Sequence, residues 1–280
     1  MNTEKIFSSN MLKIYEKMFF CREFELKVVE AHKSGQINIP IYLSIGQESI
    51  PSTISTFFDT GIPIFAQHRA HSYFLSFGGD PMHLVGELKS LTNIWSKGSG
   101  GSASISSKSI QMFGHSGLMG DQVPIAVGYC LSTNSPVLSV VGDASLEEDY
   151  VISAFMYAIS KNLPFLFICE DNNLSILTPK IDRRNWEFTP VVKAMGGLAF
   201  DVDDNPASIW ESLSQWEKDR PMFINIRTNR HYWHAGSGED AKPTEDRLKL
   251  FRNYVETIYD LRDIEAIEKK AIMNVGSLWE

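Results

Sequence analysis

The feature that most restricts the fold is a run of apolar strand, helix-length segment and second apolar strand between residues 136 and 169. Pro136-Val137-Leu138-Ser139-Val140-Val141 ends on the acidic turn Gly142-Asp143-Ala144. Phe165-Leu166-Phe167-Ile168-Cys169 leads through Glu170 to Asp171-Asn172-Asn173. Short apolar runs on either side of a helix read as strands of a parallel sheet. A strand–helix–strand crossover brings both strand ends to the same edge of that sheet. A carboxylate and an amide oxygen converging there can hold a hard divalent cation and, through it, a diphosphate. The plainer reading is a helix N-cap at Asp143 and a turn at the Asn pair, and residue types alone favour it.

The alternation continues on both sides. The pattern predicts helices over 11–34, 47–58, 121–133, 147–161 and 206–218, and another starting near Pro190. Strands are expected at 136–141, 164–169, 198–202 and 222–228, and a charged helix over 244–271 closes the pattern. This is an α/β order with a mostly parallel sheet. No repeat, low-complexity segment or linker interrupts it, so one domain over 1–280 is expected, with its core at about 40–235 and helical extensions at 11–34 and 244–271. Ten of the nineteen glycines fall between Gly78 and Gly128, which implies backbone passing close to something, or loops at positive φ. Neither Lys97-Gly98-Ser99-Gly100-Gly101-Ser102 nor Gly114 through Gly120 fits a phosphate-cradling G-x-x-x-x-G-K-[ST] loop.

A net charge of -8, with no basic run, argues against a nucleic-acid surface. Cys21, Cys130 and Cys169 lie far apart, with neither zinc spacing nor a disulfide framework, and read as buried thiols of a reducing compartment. Met1 to Asn10 is polar, and no segment reaches the length of a membrane span. A cytoplasmic protein with no membrane partner is the expectation.

The pairing of Gly142-Asp143 with Asn172-Asn173 resembles the thiamine-diphosphate motif of Gly-Asp-Gly, helix, strand and Asn-Asn. Residues from about 12 to 265 look like the α subunit of the decarboxylating component of 2-oxo acid dehydrogenases of the pyruvate, branched-chain and acetoin type. Ile45-Gly46-Gln47-Glu48 matches that family's Gly-Gln-Glu turn, and Gln67-His68-Arg69-Ala70-His71 its Tyr-Arg-x-His segment. Lys97 to Ser102 is similar to its Gly-Lys-Gly-Gly-Ser loop. Gly117-Leu118-Met119-Gly120-Asp121-Gln122-Val123-Pro124 is similar to its Gly-x-x-Gly-x-Gln-x-Pro segment.

The resemblance implies a thiamine-diphosphate-binding fold and residue roles within it. Asp143, Asn172 and the backbone carbonyl of Leu174 would ligate Mg²⁺. His68, Arg69, Gly117, Met119, Gly142, Ala144, Ser145 and His234 would join Asp143 and Asn172 around thiamine diphosphate. His68 stands where the family has Tyr. His234, with His71 as a weaker candidate, would act beside the reacting atoms, and Glu148 would help at a subunit contact. It further implies a β subunit supplying the pyrimidine-binding half of an α2β2 assembly, a 2-oxo acid substrate and a lipoyl acyltransferase as acceptor. A non-oxidative decarboxylase or carboligase making acyloins or modified sugars, and a degenerate non-catalytic subunit, stay open.

Three departures bear on this. Ala144 replaces the motif's second Gly, so the turn must avoid positive φ. Ala235 replaces a phosphorylatable Ser, so that regulation is expected to be absent. Asp171 replaces Asn and is expected to add negative charge near the metal.

Overall fold

A computed structural model describes residues 3–59, 61–91, 97–240 and 245–280. Six parallel strands form the main sheet: β1 (Ile64–Phe65), β2 (Met112–Phe113), β3 (Val137–Gly142), β4 (Phe165–Asp171), β7 (Leu198–Asp203) and β8 (Met222–Arg227). Their order is β2-β1-β3-β4-β8-β7, and β5 (Leu174–Ser175) pairs antiparallel with β6 (Thr178–Pro179) as a separate hairpin. The expected parallel sheet is therefore present, with β3 and β4 as adjacent central strands.

The strand residues sort by parity. Leu138, Val140, Leu166, Ile168, Met222 and Ile224 enter one core, and Val137, Val141, Phe165, Phe167, Cys169 and Phe223 enter the other. Alternate side chains on a strand point to opposite faces, so burial on both faces makes these strands mostly apolar, with Ser139 and Asn225 the buried polar residues of β3 and β8. The first face is covered by α1 (Thr3–Lys33), α2 (Ser49–Phe57) and α3 (His71–Ser76), with α9 (Pro206–Leu213). The second is covered by α5 (Gln122–Thr133), α6 (Asp149–Ser160) and α8 (Phe188–Ala194). Phe155, Phe167, Phe188 and Phe223 interlock there, with Phe188 edge-on to Phe223 at 4.9 Å. The remaining helices are α4 (Pro81–Leu88), α7 (Lys180–Arg183), α10 (Arg247–Glu256) and α11 (Leu261–Ser277).

Three helices differ from the sequence pattern by more than two residues, and the one expected over 206–218 ends already at Leu213. The first helix reaches back to Thr3, because Phe7 and Met11 pack with Trp210 and Phe251. The charged C-terminal segment is two helices, not one. Its interior breaks at Tyr259-Asp260, where the Asp260 side chain accepts from the Arg262 amide and starts a new helix. Residue 244, the expected start of that helix, lies outside the described residues. The three cysteines are buried free thiols, and no described helix is long and apolar enough to cross a membrane.

Candidate functional site

In the β3–β4 ladder Gly142 pairs with Glu170, so both strands end level at one sheet edge. Beyond these ends lies a cavity of about 280 Å³. Of the sequence-derived candidates, His68, Arg69, Met119, Gly142, Asp143, Ala144, Ser145, Asn172, Leu174 and His234 line it. Gly117 and His71 are not brought to it.

The capping account of Asp143 is overturned. Gly142 precedes a short 3₁₀ turn over Asp143–Glu147, and α6 begins only at Asp149, with no side-chain cap from Asp143. The Asp143 carboxylate instead accepts from Arg183 through Oδ2. Burial, aided by Asp171 and opposed by Arg183, pushes its pKa up to about 6. The turn account of the Asn pair is half right. Asn172 Oδ1 accepts from the Leu174 amide at 3.1 Å, yet an amide oxygen has a second lone pair and Asn172 still lines the cavity. Ala144 is free of the strain its replacement of Gly suggested, because its φ is not positive. The 3₁₀ turn suits an L-residue.

Asp171 does not add free charge. Its Oδ2 accepts from Lys180 at 2.7 Å and from Asn225 at 3.2 Å. Burial favours the neutral acid, but Lys180 outweighs it and the pKa lies below the ordinary value.

The cationic wall is Arg69 with Arg230. Arg69 is buried, donates to the carbonyls of Leu43 at 2.5 Å and His234 at 3.3 Å, and makes no ion pair among the described residues. Burial and the neighbouring Arg230 push its pKa down to about 10. Arg230 pairs with Asp240 at 2.6 Å and donates to the Ile176 carbonyl at 3.0 Å, tying the histidine loop to the β5–β6 hairpin. Both ring nitrogens of His68 are buried without a partner among the described residues. Burial first, then Arg69, pushes its pKa down to about 2, and burial with Arg69 and Arg230 takes His234 to about 4. Both imidazoles are neutral at pH 7. The two rings lie 5.1 Å apart, and Tyr42 sits edge-on to both, 5.0 Å from His68 and 5.7 Å from His234. Arg230 is thus answered by Asp240, while Arg69 offers positive charge, and the imidazoles neutral donors, to an anion that the described residues do not provide.

His71 must be reassigned. Its Nδ1 meets Glu25 at 2.9 Å and its Nε2 meets Ser102 Oγ at 2.8 Å, with no exposure. Ser102 in turn accepts from the Tyr42 amide, so His71 props up the loop carrying Tyr42. Gly117 lies on the approach to Met119, at φ +104°, but off the cavity. Glu48 is buried against Arg22 at 2.5 Å, a structural pair.

Gln67, Ser175, Ile176 and Arg230 line the cavity without having been singled out. Gln67 donates to Glu170 at 2.5 Å, whose pKa burial pushes up to about 7. A local signal existed for two of them: Gln67 opens the His68-Arg69 segment, and Arg230 opens the one containing His234. For Ser175 and Ile176 there was none beyond adjacency to Leu174.

Comparison with known proteins bears on this cavity. The model of the family described as "Dehydrogenase E1 component" matches residues 16–262. The pyruvate dehydrogenase E1 component subunit alpha of Rickettsia felis is 31% identical over 117 residues, 42% of this chain and 36% of the relative. Its mitochondrial namesake from Schizosaccharomyces pombe is 31% identical over 124 residues, 44% of this chain and 30% of the relative. The matched part thus spans about a third of the length of these relatives. Among solved structures, transketolase from Leishmania mexicana superposes with a TM-score of 0.60 at 13% identity, over 99% of this chain and 45% of that one. At that identity the likeness is one of fold.

Proposed function

This chain belongs to the dehydrogenase E1 component family, and on that premise we propose that it is the α subunit of a thiamine-diphosphate-dependent 2-oxo acid dehydrogenase. The observation that carries the reading is the meeting, in one cavity, of Asp143, Asn172 and Leu174 with Arg69, Arg230, His68 and His234. The first three offer oxygen ligands to Mg²⁺, which prefers an oxygen shell completed by phosphate and water. Arg183 occupies Oδ2 of Asp143, and no bond is made to Oδ1 among the described residues. Arg69, without an ion pair, and His68, with two unpartnered nitrogens among the described residues, fit a diphosphate.

When bound, thiamine diphosphate supplies the carbon nucleophile and electron sink that decarboxylation of a 2-oxo acid needs. The chain's residues do the rest. Met119 would lend an apolar surface to the cofactor, and Tyr150, donating to the Met119 carbonyl, fixes that loop. His234, neutral at pH 7, can donate an N–H to a phosphate or to the substrate carboxylate and exchange a proton with solvent. Gln67, aimed by Glu170, is a further donor in the same cavity. A β subunit would complete the site, in an α2β2 assembly, and a lipoyl acyltransferase would accept the acyl group.

The test is co-purification with a candidate β partner, calorimetry with thiamine diphosphate and Mg²⁺, and a 2-oxo acid screen with lipoyl and dye acceptors. Cofactor-dependent release of carbon dioxide with acyl transfer to lipoate is expected. An assembled complex that binds no thiamine diphosphate sinks the reading; decarboxylation without lipoyl transfer turns it into a non-oxidative enzyme.

A further inference from the structure

The segment that follows the β5–β6 hairpin returns to grip the end of β3. Arg183 donates to Asp143 Oδ2 and to Glu147, while Arg184 donates to the backbone carbonyl of Asp143 at 2.7 Å and to Glu147 at 3.2 Å. Lys180, one turn earlier, ties the same segment to Asp171 at the tip of β4. Both guanidinium groups are largely out of solvent, with side chains 12% and 2% exposed. Arg184 also lies over the Trp186 ring at 4.8 Å.

These contacts are a poor device for stability. Arg183 Nε and Arg184 Nε and Nη2 are buried without a hydrogen-bond partner among the described residues, Glu187 standing 4.0 Å from Nη2. A buried ion pair that leaves donors unsatisfied contributes little net stability, since desolvation offsets the attraction. What the arrangement does achieve is orientation. Arg183 holds one oxygen of Asp143 and leaves Oδ1 without a bond among the described residues, while Arg184 fixes the main chain beneath it. Lys180, Arg183 and Arg184 are three cations facing the four carboxylates of Asp143, Glu147, Asp171 and Glu187. Each of these carboxylates meets at least one of the cations, and the group as a whole keeps one net negative charge. The chain from Leu174, which lines the cavity, to Arg183 is a single short segment, so a carbonyl ligand and the grip on a carboxylate ligand are covalently linked.

We propose that Arg183 is a positioning residue for the cation site, presenting Asp143 Oδ1 to Mg²⁺ through a grip that Glu147 and Arg184 brace. The inference rests on the proposed cofactor reading. Arg183 touches neither cation nor substrate; it acts through Asp143. Partners that orient a metal ligand typically carry a ~10–100-fold effect on metal affinity when removed.

The experiment titrates Mg²⁺ by calorimetry into the full chain, assembled with its β partner, at saturating thiamine diphosphate. Wild type, Arg183→Gln and Arg183→Lys are compared, alongside the unfolding midpoint of each cofactor-free chain. Arg183→Gln is expected to weaken Mg²⁺ by ~10–100-fold, with Arg183→Lys recovering part of the loss through its single charge and a small change in midpoint. Unchanged affinity, or tighter binding because a competing cation has gone, overturns the proposal. A loss of affinity that only tracks a collapse in midpoint, in both variants, overturns it too. Should the wild-type complex bind no thiamine diphosphate at all, the cofactor reading fails first and takes this inference with it.

Discussion

His71 Nδ1 lies 2.9 Å from Glu25 Oε1, and neither side chain has any solvent exposure. Glu25 also accepts from the Ser44 amide and hydroxyl, both at 3.1 Å. The histidine therefore joins α1 to the loop before α2 and, through Ser102, to the Tyr42 stretch. His71→Ala is expected to lower unfolding free energy by about 1–3 kcal/mol, the cost of stranding buried polar partners. Urea denaturation measures this. Normal stability with turnover lost would return His71 to the reacting centre.

Asp143→Ala is expected to abolish Mg²⁺-dependent binding of thiamine diphosphate while the chain stays folded, because Arg183 keeps Glu147 as a partner. Calorimetry on the assembled complex, with circular dichroism as the control, decides it. Retained binding removes Asp143 from the cation site.

His234→Ala should separate chemistry from affinity. A positioned acid or base contributes roughly 10²–10⁴-fold to rate. Turnover in the complex should fall within that range, while cofactor affinity changes far less, because Arg69 and Arg230 carry the charge. If both stay at wild-type values, the imidazole is a bystander.

The pH dependence of stability has two opposed limbs. His68, with an ordinary pKa of 6.5, is held down to about 2 by burial and by Arg69. The unfolded chain therefore binds a proton below pH 6.5 that the folded chain refuses, and stability falls with pH from there. Glu170, at about 7 against an ordinary 4.5, works the other way: stability falls as pH rises from 4.5 through 7. Thermal midpoints across pH 4 to 8 should show His68→Gln flattening the acid limb and Glu170→Gln the neutral one. Identical slopes in wild type and variants would falsify these assignments.

Gly46 sits at φ +101°, and a Cβ there would lie 2.2 Å from the Asn229 carbonyl oxygen. Gly46→Ala combines backbone strain of order 1–3 kcal/mol with a displaced 229–231 stretch, which leads directly into the histidine loop. Lower stability together with weaker cofactor binding is expected. A variant with an unchanged midpoint and affinity shows that the turn relaxes freely.

Much of the scaffold was legible in one dimension. Strands buried on both faces are mostly apolar, so Val137 to Val141, interrupted only by Ser139, and Phe165 to Cys169 announce themselves. The parallel pairing of the two strands obliges Asp143 and Asn172 to share an edge. Local sequence also carried Met119 and Arg69 through their motifs. It could not say what their neighbours were.

What the tertiary structure alone decided is which polar groups already have partners. Asp171 looked like surplus charge until Lys180 came round to meet it, and His71 looked reactive until Glu25 and Ser102 took both its nitrogens. Arg183 reaches Asp143 across forty residues, and Gln67 reaches Glu170 across more than a hundred. Period and propensity are short-range properties of a chain, fixed by the backbone and by burial. Hydrogen-bond satisfaction and charge balance depend on distances that exist only once the chain has closed on itself, so the sequence could place the two strand tips but not the grip on them.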